Sequence, residues 1–285
     1  YWSFCRYDLM SSPQWVGWAN YHRLAVDLIE GGEFARALGN TAYFSVGSVA
    51  CSVVLGIGLA VALSWEFRGR AICRTLCFLP SVVPAVAAAM LWMWLLDPQQ
   101  GAVNGLLSYF GVPPQNWFQG SSAAAWPPSW PADHAGRICG SKDGLIVMSM
   151  WGVGNLMLIY LAALQDAPTS LYEAAQIDGA GRLGRFWHVT LPLLTPAIFF
   201  NVVIGLIQSL QAFTQVYLVS DGTGAPAGAT MTLSLYLFLT AFKNLQMGYA
   251  SAMAWTLLVI VAAVTVWLFR TSGRWVHYQG TPTQR

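Results

Sequence analysis

The stretch 168–192, PTSLYEAAQIDGAGRLGRFWHVTLP, is polar and charged and lies between two long apolar stretches. Pro168 marks the start of a helix, and the run Leu171–Ile177 predicts two helical turns that end before Gly179. A second short helical run is predicted to end at Leu191-Pro192, where the next apolar stretch begins. A loop with helical structure of its own favours docking to a partner over a purely connecting role.

The composition predicts an all-α integral membrane protein. Of the 285 residues, 56% are hydrophobic and 9% are charged, whereas about a quarter of the residues of an ordinary soluble domain are charged. The net charge of +2 and the lack of a Lys/Arg run give no support for nucleic-acid binding. The lipid bilayer is therefore the first partner that the sequence implies.

Five charge-free apolar windows are long enough for the ~20 residues that cross a bilayer core. They cover about 39–65, 75–96, 144–165, 193–219 and 246–269. Because backbone groups in lipid must be satisfied within the segment, these windows predict helices and not strands. In the second window, Pro80 and Pro84 are expected to kink or delay the helix.

The remaining segments are expected to lie outside the bilayer. Residues 1–37 carry several charges and no spanning run, so they predict an extracytoplasmic segment before a transmembrane domain at 38–285. Residues 98–142 are rich in Pro, Ser and Trp, which excludes a lipid-exposed helix. Residues 229–242 are apolar but too short to span. The sequence leaves open whether Cys5 and Cys139 form a disulfide.

The distribution of Lys and Arg orients the chain in the membrane. Eight basic residues are concentrated in short loops and the tail on one side: Arg68, Arg70, Arg74, Arg182, Arg185, Arg270, Arg274 and Arg285. The other side carries six, spread over about twice the length. The Arg-dense side is therefore predicted to be cytoplasmic, and segment 168–192 lies on that side.

The sequence shows no catalytic or metal-binding constellation. It has no GxxxxGK[ST] phosphate loop, HExxH or GxSxG motif, and no carboxylate lies in the apolar windows. We therefore expect no catalytic residue and no metal ligand on this chain. Ion-coupled transporters usually keep ionisable residues within the bilayer, which disfavours an ATP-independent secondary transporter. A membrane-bound enzyme would need a catalytic cluster that the sequence does not show.

Polar side chains in the fourth window could line a solute path. On one continuous helix, four amides would lie within about 60° of one another. These are Asn201, Gln208, Gln211 and Gln215. Amides offer hydrogen-bond donors and acceptors without charge, as a hydroxyl-rich solute requires, although they also serve interhelical hydrogen bonds. Tyr217 lies close by, and Asn155 on the preceding window is a further candidate.

Segment 168–192 resembles the EAA loop of binding-protein-dependent ABC-transporter permeases. Glu173-Ala174-Ala175, then Gly179, then Leu191-Pro192 match the pattern of EAA, three residues, G, nine residues and I-x-LP. Val189 replaces the isoleucine of that pattern and keeps a β-branched apolar side chain. Residues 1–4 and 16–21 are similar to the stretch that follows the first transmembrane helix of sugar-type permeases, and 248–252 is similar to the GyAsA stretch before the last helix.

This resemblance implies a type I ABC importer permease core with a sixth helix upstream of the five visible ones. It implies a bacterial or archaeal cell (inner) membrane and four partner chains: a second permease subunit, two ATPase subunits and an extracytoplasmic solute-binding protein. ATP and Mg would be held by the ATPase subunits and not by this chain. The implied solute is a neutral sugar, glycoside or polyol, with a polyamine as the alternative.

The resemblance also assigns a role to the EAA residues. The helix would lie in a cleft of an ATPase subunit and transmit movements that follow ATP binding. The residues that would couple to the ATPase are Leu171, Glu173, Ala174, Ala175, Asp178 and Gly179.

Overall fold

The computed structural model describes residues 1–118, 140–226 and 228–276, and these residues are mostly helical. In chain order the α-helices are α1 (Ala19–Glu30), α2 (Glu33–Ser64), α3 (Arg70–Phe78), α4 (Ala85–Leu95), α5 (Ala102–Tyr109), α6 (Ser141–Met150), α7 (Gly154–Gln165), α8 (Thr169–Ile177), α9 (Arg182–Arg185), α10 (Leu191–Leu210), α11 (Thr214–Val219), α12 (Leu233–Phe238) and α13 (Met247–Ser272). A two-stranded antiparallel ladder of β1 (Cys5–Arg6) and β2 (Gln14–Trp15), which the sequence did not predict, precedes them.

Among the described residues, four helical segments are long and apolar enough to cross a membrane: Glu33–Ser64, Ser141–Gln165, Arg182–Leu210 and Met247–Ser272. They confirm the predicted helices in the first, third and fifth windows, although α2 begins at Glu33, inside the stretch assigned to the extracytoplasmic segment. The possible disulfide to Cys139 and most of the Trp-rich part of 98–142 fall outside the described residues. Leu233–Lys243 is apolar but shorter than a span, as predicted.

The second window is a bent pair of helices. The first piece ends in a 3₁₀ turn at Val82, and α4 begins after Pro84, whose backbone is extended with ψ of 138°. Proline has no amide hydrogen for the helical ladder, and it disfavours the helical conformation in the residue before it. The predicted interruption by the prolines is confirmed.

The fourth window departs from the prediction at both ends. A continuous helical segment runs from Arg182 through a π-helical turn at Phe186–Thr190 into α10, so the second short helix does not end at Leu191-Pro192. Pro196 lies inside α10 and cannot donate to the Pro192 carbonyl. The Thr195 hydroxyl donates to that carbonyl instead, over 2.7 Å. One local side chain therefore allows the helix to pass a proline.

At the other end, the prediction of one helix through residue 219 is wrong. Helix α10 ends at Leu210, and α11 begins only at Thr214. The Thr232 hydroxyl donates to the Ala212 carbonyl within the break, at 3.3 Å. Because the break ends the helical ladder, the Thr232 hydroxyl supplies a hydrogen bond that the helix backbone no longer makes.

The described chain divides into two compact units. The first comprises Tyr1–Ser48, Val83–Met148 and Ile207–Ala263, and the second comprises Val49–Val82, Ser149–Leu206 and the residues from Val264 onward. The core of the first unit joins α1, the start of α2, α12 with the π-helical turn that follows it, and α13. Its residues are Leu24, Phe34, Leu233, Ala241, Tyr249, Ala250, Ala252 and Met253.

A buried polar node in the first unit fixes the N-terminal part of α2. Asn40 donates through Nδ2 to the carbonyls of Gly228 and Met231, at 2.9 and 3.0 Å. Its Oδ1 accepts a 3.0 Å hydrogen bond from Nζ of Lys142, which is only 4% exposed. The sequence placed Lys142 in an aqueous outer segment, but the structure buries it at the start of α6.

The second unit is built around Tyr160, which is fully buried on α7. Its core contains Ile57, Ala60, Leu63, Met157, Tyr160, Leu161 and Leu194. Glycines permit the close approach of its helices. A methyl group on Gly154 would overlap the Cys77 carbonyl at the end of α3, and one on Gly56 would touch the Tyr160 ring at 3.0 Å.

We expect Gly154→Ala to destabilise the protein by about 1–3 kcal/mol, because the added carbon meets backbone that cannot rotate away. Gly152→Ala is the matched control, since a methyl group there meets no described atom within 4 Å. Thermal unfolding in a mild detergent measures both. Equal midpoints for the two variants would contradict the close packing of α3 on α7.

Candidate functional site

Helix α8 is the exposed element of segment 168–192. It begins after Pro168, whose ψ of 124° is extended, and none of its residues is buried. Two apolar side chains are exposed on it, Leu171 at 44% and Ile177 at 86%. Exposed apolar side chains on a short polar helix are typical of a docking surface.

The structure brings all six predicted coupling residues onto α8 and the turn that follows. Leu171, Glu173, Ala174, Asp178 and Gly179 are exposed, and Ala175 is half-buried. Ile177, the most exposed apolar residue of the helix, was not among the predicted site residues. The sequence did contain a signal for this residue. Ile177 is a large apolar residue next to the predicted helix end, and it belongs to no predicted spanning segment.

A Schellman motif ends α8. The Gly179 amide donates to the Gln176 carbonyl at 3.0 Å, and the Ala180 amide donates to the Ala175 carbonyl at 2.9 Å. Gly179 has φ of +78°, a left-handed conformation that is costly for residues with a Cβ. The glycine therefore turns the chain sharply and satisfies the last carbonyls of the helix.

The turn returns the chain toward the membrane. Arg182 begins the helical segment that continues into α10, and the hydroxyls of Tyr172 and Thr190 lie 3.3 Å apart, joining α8 to that segment. A nitrogen of the His188 ring lies 2.9 Å from the Gly184 carbonyl. Helix α8 is thus attached to a spanning segment at its end and through a side-chain hydrogen bond.

The predicted solute-path amides do not share one helix face. Asn201 and Gln208 lie on α10, Gln211 lies in the break, and Gln215 lies on α11. The prediction of one shared face is wrong because the break interrupts the continuous helix for which the 60° spacing was calculated. Asn201 is 5% exposed, whereas Gln208 and Gln211 are exposed and Gln215 is half-buried.

In the second unit, Asn201 lies near a buried tyrosine. The Asn201 amide nitrogen and the Tyr160 hydroxyl are both buried, and neither is within hydrogen-bonding geometry of a described group. Asn155, on α7, is exposed. Buried groups with unused hydrogen-bonding capacity can accept a polar ligand or water.

In the first unit, four aromatic rings cluster beside the helix break. The Phe238 ring lies 5.0 Å from Phe213, 5.7 Å from Tyr217 and 5.1 Å from Phe242, measured between centroids. The amides of Gln211 and Gln215 flank Phe213 in sequence. Phe238 and Phe242 were missed, although their spacing of four places them on one helix face.

The comparisons with known proteins establish the family. Residues 52–279 match the family described as "Binding-protein-dependent transport system inner membrane component", and the chain belongs to this family. It is therefore an inner-membrane transport permease. The matched residues include all of segment 168–192 with α8. They also include all or part of each of the four spans.

Two relatives and one solved structure show how far the similarity extends. The chain is 40% identical to the "Probable ABC transporter permease protein YesP" of Bacillus subtilis (strain 168), over 97% of this chain and 84% of that protein. It is 35% identical to the "Lactose transport system permease protein LacF" of Rhizobium radiobacter, over 81% of this chain and 74% of that protein.

The solved structure is a bacterial alginate ABC transporter in complex with an alginate pentasaccharide-bound periplasmic protein. The similarity has a TM-score of 0.73 and 24% identity, and covers 90% of this chain and 83% of that chain. The predicted fold, a type I importer permease core, is confirmed.

We expect Gly179→Ala to loosen the end of α8, because alanine in the left-handed region costs about 1–2 kcal/mol. Amide hydrogen exchange over residues 174–180 should accelerate by about fivefold or more. Gly181→Ala is the control, since Gly181 has φ of −65°. Unchanged exchange in Gly179→Ala would show that the turn does not depend on glycine.

Proposed function

We propose that the chain is the membrane-spanning permease subunit of an ATP-driven ABC importer for a neutral sugar, glycoside or polyol, delivered by an extracytoplasmic solute-binding protein. The observation that carries the proposal is α8, an exposed helix with a glycine turn and a side-chain link to a spanning segment. Membership of a binding-protein-dependent permease family supports the importer assignment.

The proposed role of α8 is to couple this chain to an ATPase subunit. Leu171 and Ile177 supply apolar contacts, Ala174 permits close approach, and Glu173 offers a charge-assisted hydrogen bond. The partners are two ATPase subunits, which hold ATP and Mg, and a second permease subunit. ATP binding can drive the spans only if α8 docks with different free energies to the two nucleotide states.

Two features of the described residues support the proposed solute class. Gln208 and Gln211 expose uncharged amides near the helix break, and the rings of Phe213, Tyr217 and Phe238 lie beside it. Amides can hydrogen-bond hydroxyl groups, and aromatic faces can cover the apolar faces of sugar rings. The 35% identical relative is named for lactose transport. A polyamine would favour carboxylates, and residues 144–165 and 191–219 contain none.

The coupling proposal predicts that Glu173→Lys leaves the protein inserted but lowers solute uptake by about tenfold or more. This factor corresponds to the free energy of one lost charge-assisted hydrogen bond. ATP hydrolysis by the purified complex should no longer respond to binding protein and solute. Glu66→Lys makes the same charge change at another exposed cytoplasmic position and is the control. Normal uptake in Glu173→Lys would exclude docking through this residue.

The solute proposal predicts that Gln211→Leu changes selectivity without affecting assembly. The ratio of the ATP-hydrolysis rates that two neutral disaccharides stimulate should shift by about tenfold, because one hydrogen-bonding group facing the solute is lost. Gln14→Leu, on the N-terminal strand β2, is the control. The assay is stimulation of ATP hydrolysis by binding protein with a panel of disaccharides, polyols and polyamines. An unchanged ratio would leave Gln211 as a structural residue, and stimulation by polyamines alone would overturn the solute class.

A further inference from the structure

A cleft of about 610 Å³ lies within the second unit, beside segment 168–192. We refer to it as the arginine cleft. Its lining residues are Val61, Ser64, Trp65, Leu164, Tyr172, Arg182, Arg185, Phe186 and Thr190. One part of this lining is apolar and another part is basic, and neither part contains a carboxylate.

Two arginines of the cleft have no anionic partner among the residues that the structure describes. Nε of Arg185 is buried and makes no hydrogen bond to any described group. The guanidinium of Arg182 lies 6.0 Å from the centre of the Trp65 ring. Neither arginine forms an ion pair with a described carboxylate. A partly buried guanidinium without a carboxylate has an unsatisfied preference for an anion, and its planar donors match phosphate oxygens.

Two neighbouring arginines are already engaged by backbone carbonyls. Arg70 donates to the Ser64 carbonyl at 3.4 Å, and Arg74 donates to the Leu63 carbonyl at 3.2 Å. These carbonyls belong to the last turn of α2, where the helix dipole favours positive charge. The last turn of α2 therefore accounts for these two bonds, although Nε of Arg74, like that of Arg185, makes no hydrogen bond to a described group. The side chains of Arg182 and Arg185 make no such bond to a described carbonyl.

The cleft lies where three spanning segments end. Ser64 is the last residue of one span, Leu164 lies one residue before the end of another, and Arg182 begins the third. The basic side of the chain is predicted to face the cytoplasm, which assigns this boundary to the inner leaflet. Trp65 is 62% exposed and Trp187 is 56% exposed, which is typical of indoles at a membrane interface.

We propose that the arginine cleft binds the phosphate of an anionic phospholipid from the inner leaflet. The phosphate lies between Arg182 and Arg185, and the Tyr172 hydroxyl, which can accept from Thr190, donates to it. An acyl chain follows the apolar wall of Val61 and Leu164. A basic site between spans at the cytoplasmic face suits an anionic headgroup. The apolar wall favours a lipid over free phosphate, because free phosphate has no apolar part to pack against this wall.

A lipid bound here would affect coupling because of where the cleft residues belong. Tyr172 is on α8, Arg182 follows the Gly179 turn, and Val61 is on α2. A single lipid would thus contact the coupling helix and two spanning segments at once. The inference goes beyond the proposed function, since it does not depend on which solute is transported.

The test is native mass spectrometry of the full chain, with any subunits that co-purify, in nonionic detergent at 0.15 M salt. The probes are dioleoylphosphatidylglycerol and dioleoylphosphatidylcholine, which differ in headgroup charge. We expect tighter binding of the anionic lipid to the unsubstituted protein. Each of Arg182→Gln and Arg185→Gln should weaken that binding by about fivefold, the effect of about 1 kcal/mol per basic residue.

Arg270→Gln is the matched control, because it removes the same charge from the exposed last turn of α13, outside the cleft. It should leave binding nearly unchanged, since salt screens general surface attraction. Arg185→Lys keeps the charge but loses the planar donors, so it should bind with intermediate affinity. The lipid comparison on the unsubstituted protein needs no variant and remains decisive if the glutamine variants fail to fold.

Three outcomes would overturn the proposal. The first is equal binding of the two lipids to the unsubstituted protein, or an equal loss of anionic-lipid binding in Arg270→Gln and Arg185→Gln. The second is displacement of the anionic lipid by 10 mM inorganic phosphate, which would assign the cleft to a free anion. The third is loss of a co-purifying ATPase subunit from the double Arg182→Gln, Arg185→Gln variant in lipid-free detergent, which would assign the cleft to an acidic side chain of that subunit. None of these outcomes concerns solute uptake, so the proposed function would stand if this inference failed.

Discussion

The hydrocarbon core of a membrane contains no water to hydrogen-bond the backbone, and this constraint shapes the spanning part of the chain. The apolar windows form helices, and two departures from a regular helix have a side-chain hydrogen bond in place of a backbone one. The Thr195 hydroxyl serves the carbonyl that Pro196 leaves free, and the Thr232 hydroxyl serves a carbonyl in the break after α10. Irregular backbone is tolerated here because side chains take over its hydrogen bonds.

The same principle explains the buried node around Asn40. The carbonyls of Gly228 and Met231 belong to a glycine-containing turn outside any helix, and the Asn40 amide satisfies both. Asn40 in turn accepts from Lys142, whose charge would be costly to bury without a partner. One side chain thus joins α2, the turn before α12 and the start of α6 within the first unit. Removing it would leave the Met231 carbonyl and the Lys142 ammonium without this hydrogen bond, whereas the Gly228 carbonyl also accepts from the Met231 amide.

Segment 168–192 is stabilised by local contacts and not by burial of its helix. Helix α8 buries none of its side chains within the described chain, and it keeps its shape through the Schellman motif and the Tyr172–Thr190 contact. An isolated helix of this length would be marginal in water. Its local caps hold its shape without burial, and under the proposed function this would reduce the ordering cost of binding a partner subunit. A rigid, exposed helix attached to a spanning segment is suited to transmit movement.

The sequence by itself determined the features that depend on neighbouring residues. Composition and window length predicted the spans, Pro84 predicted the interruption of the second window, and the EAA pattern with Gly179 predicted α8 and its turn. The solute-path role of Asn155, Asn201 and the glutamines remains a prediction. Only the tertiary structure decided the break at residues 211–213, the burial of Lys142, the aromatic cluster around Phe238 and the arginine cleft. Each of these joins groups far apart in the chain, such as Lys142 with Asn40 or Trp65 with Arg182. Local periodicity in the sequence cannot predict such pairs, because their interaction energy arises only when distant segments pack together.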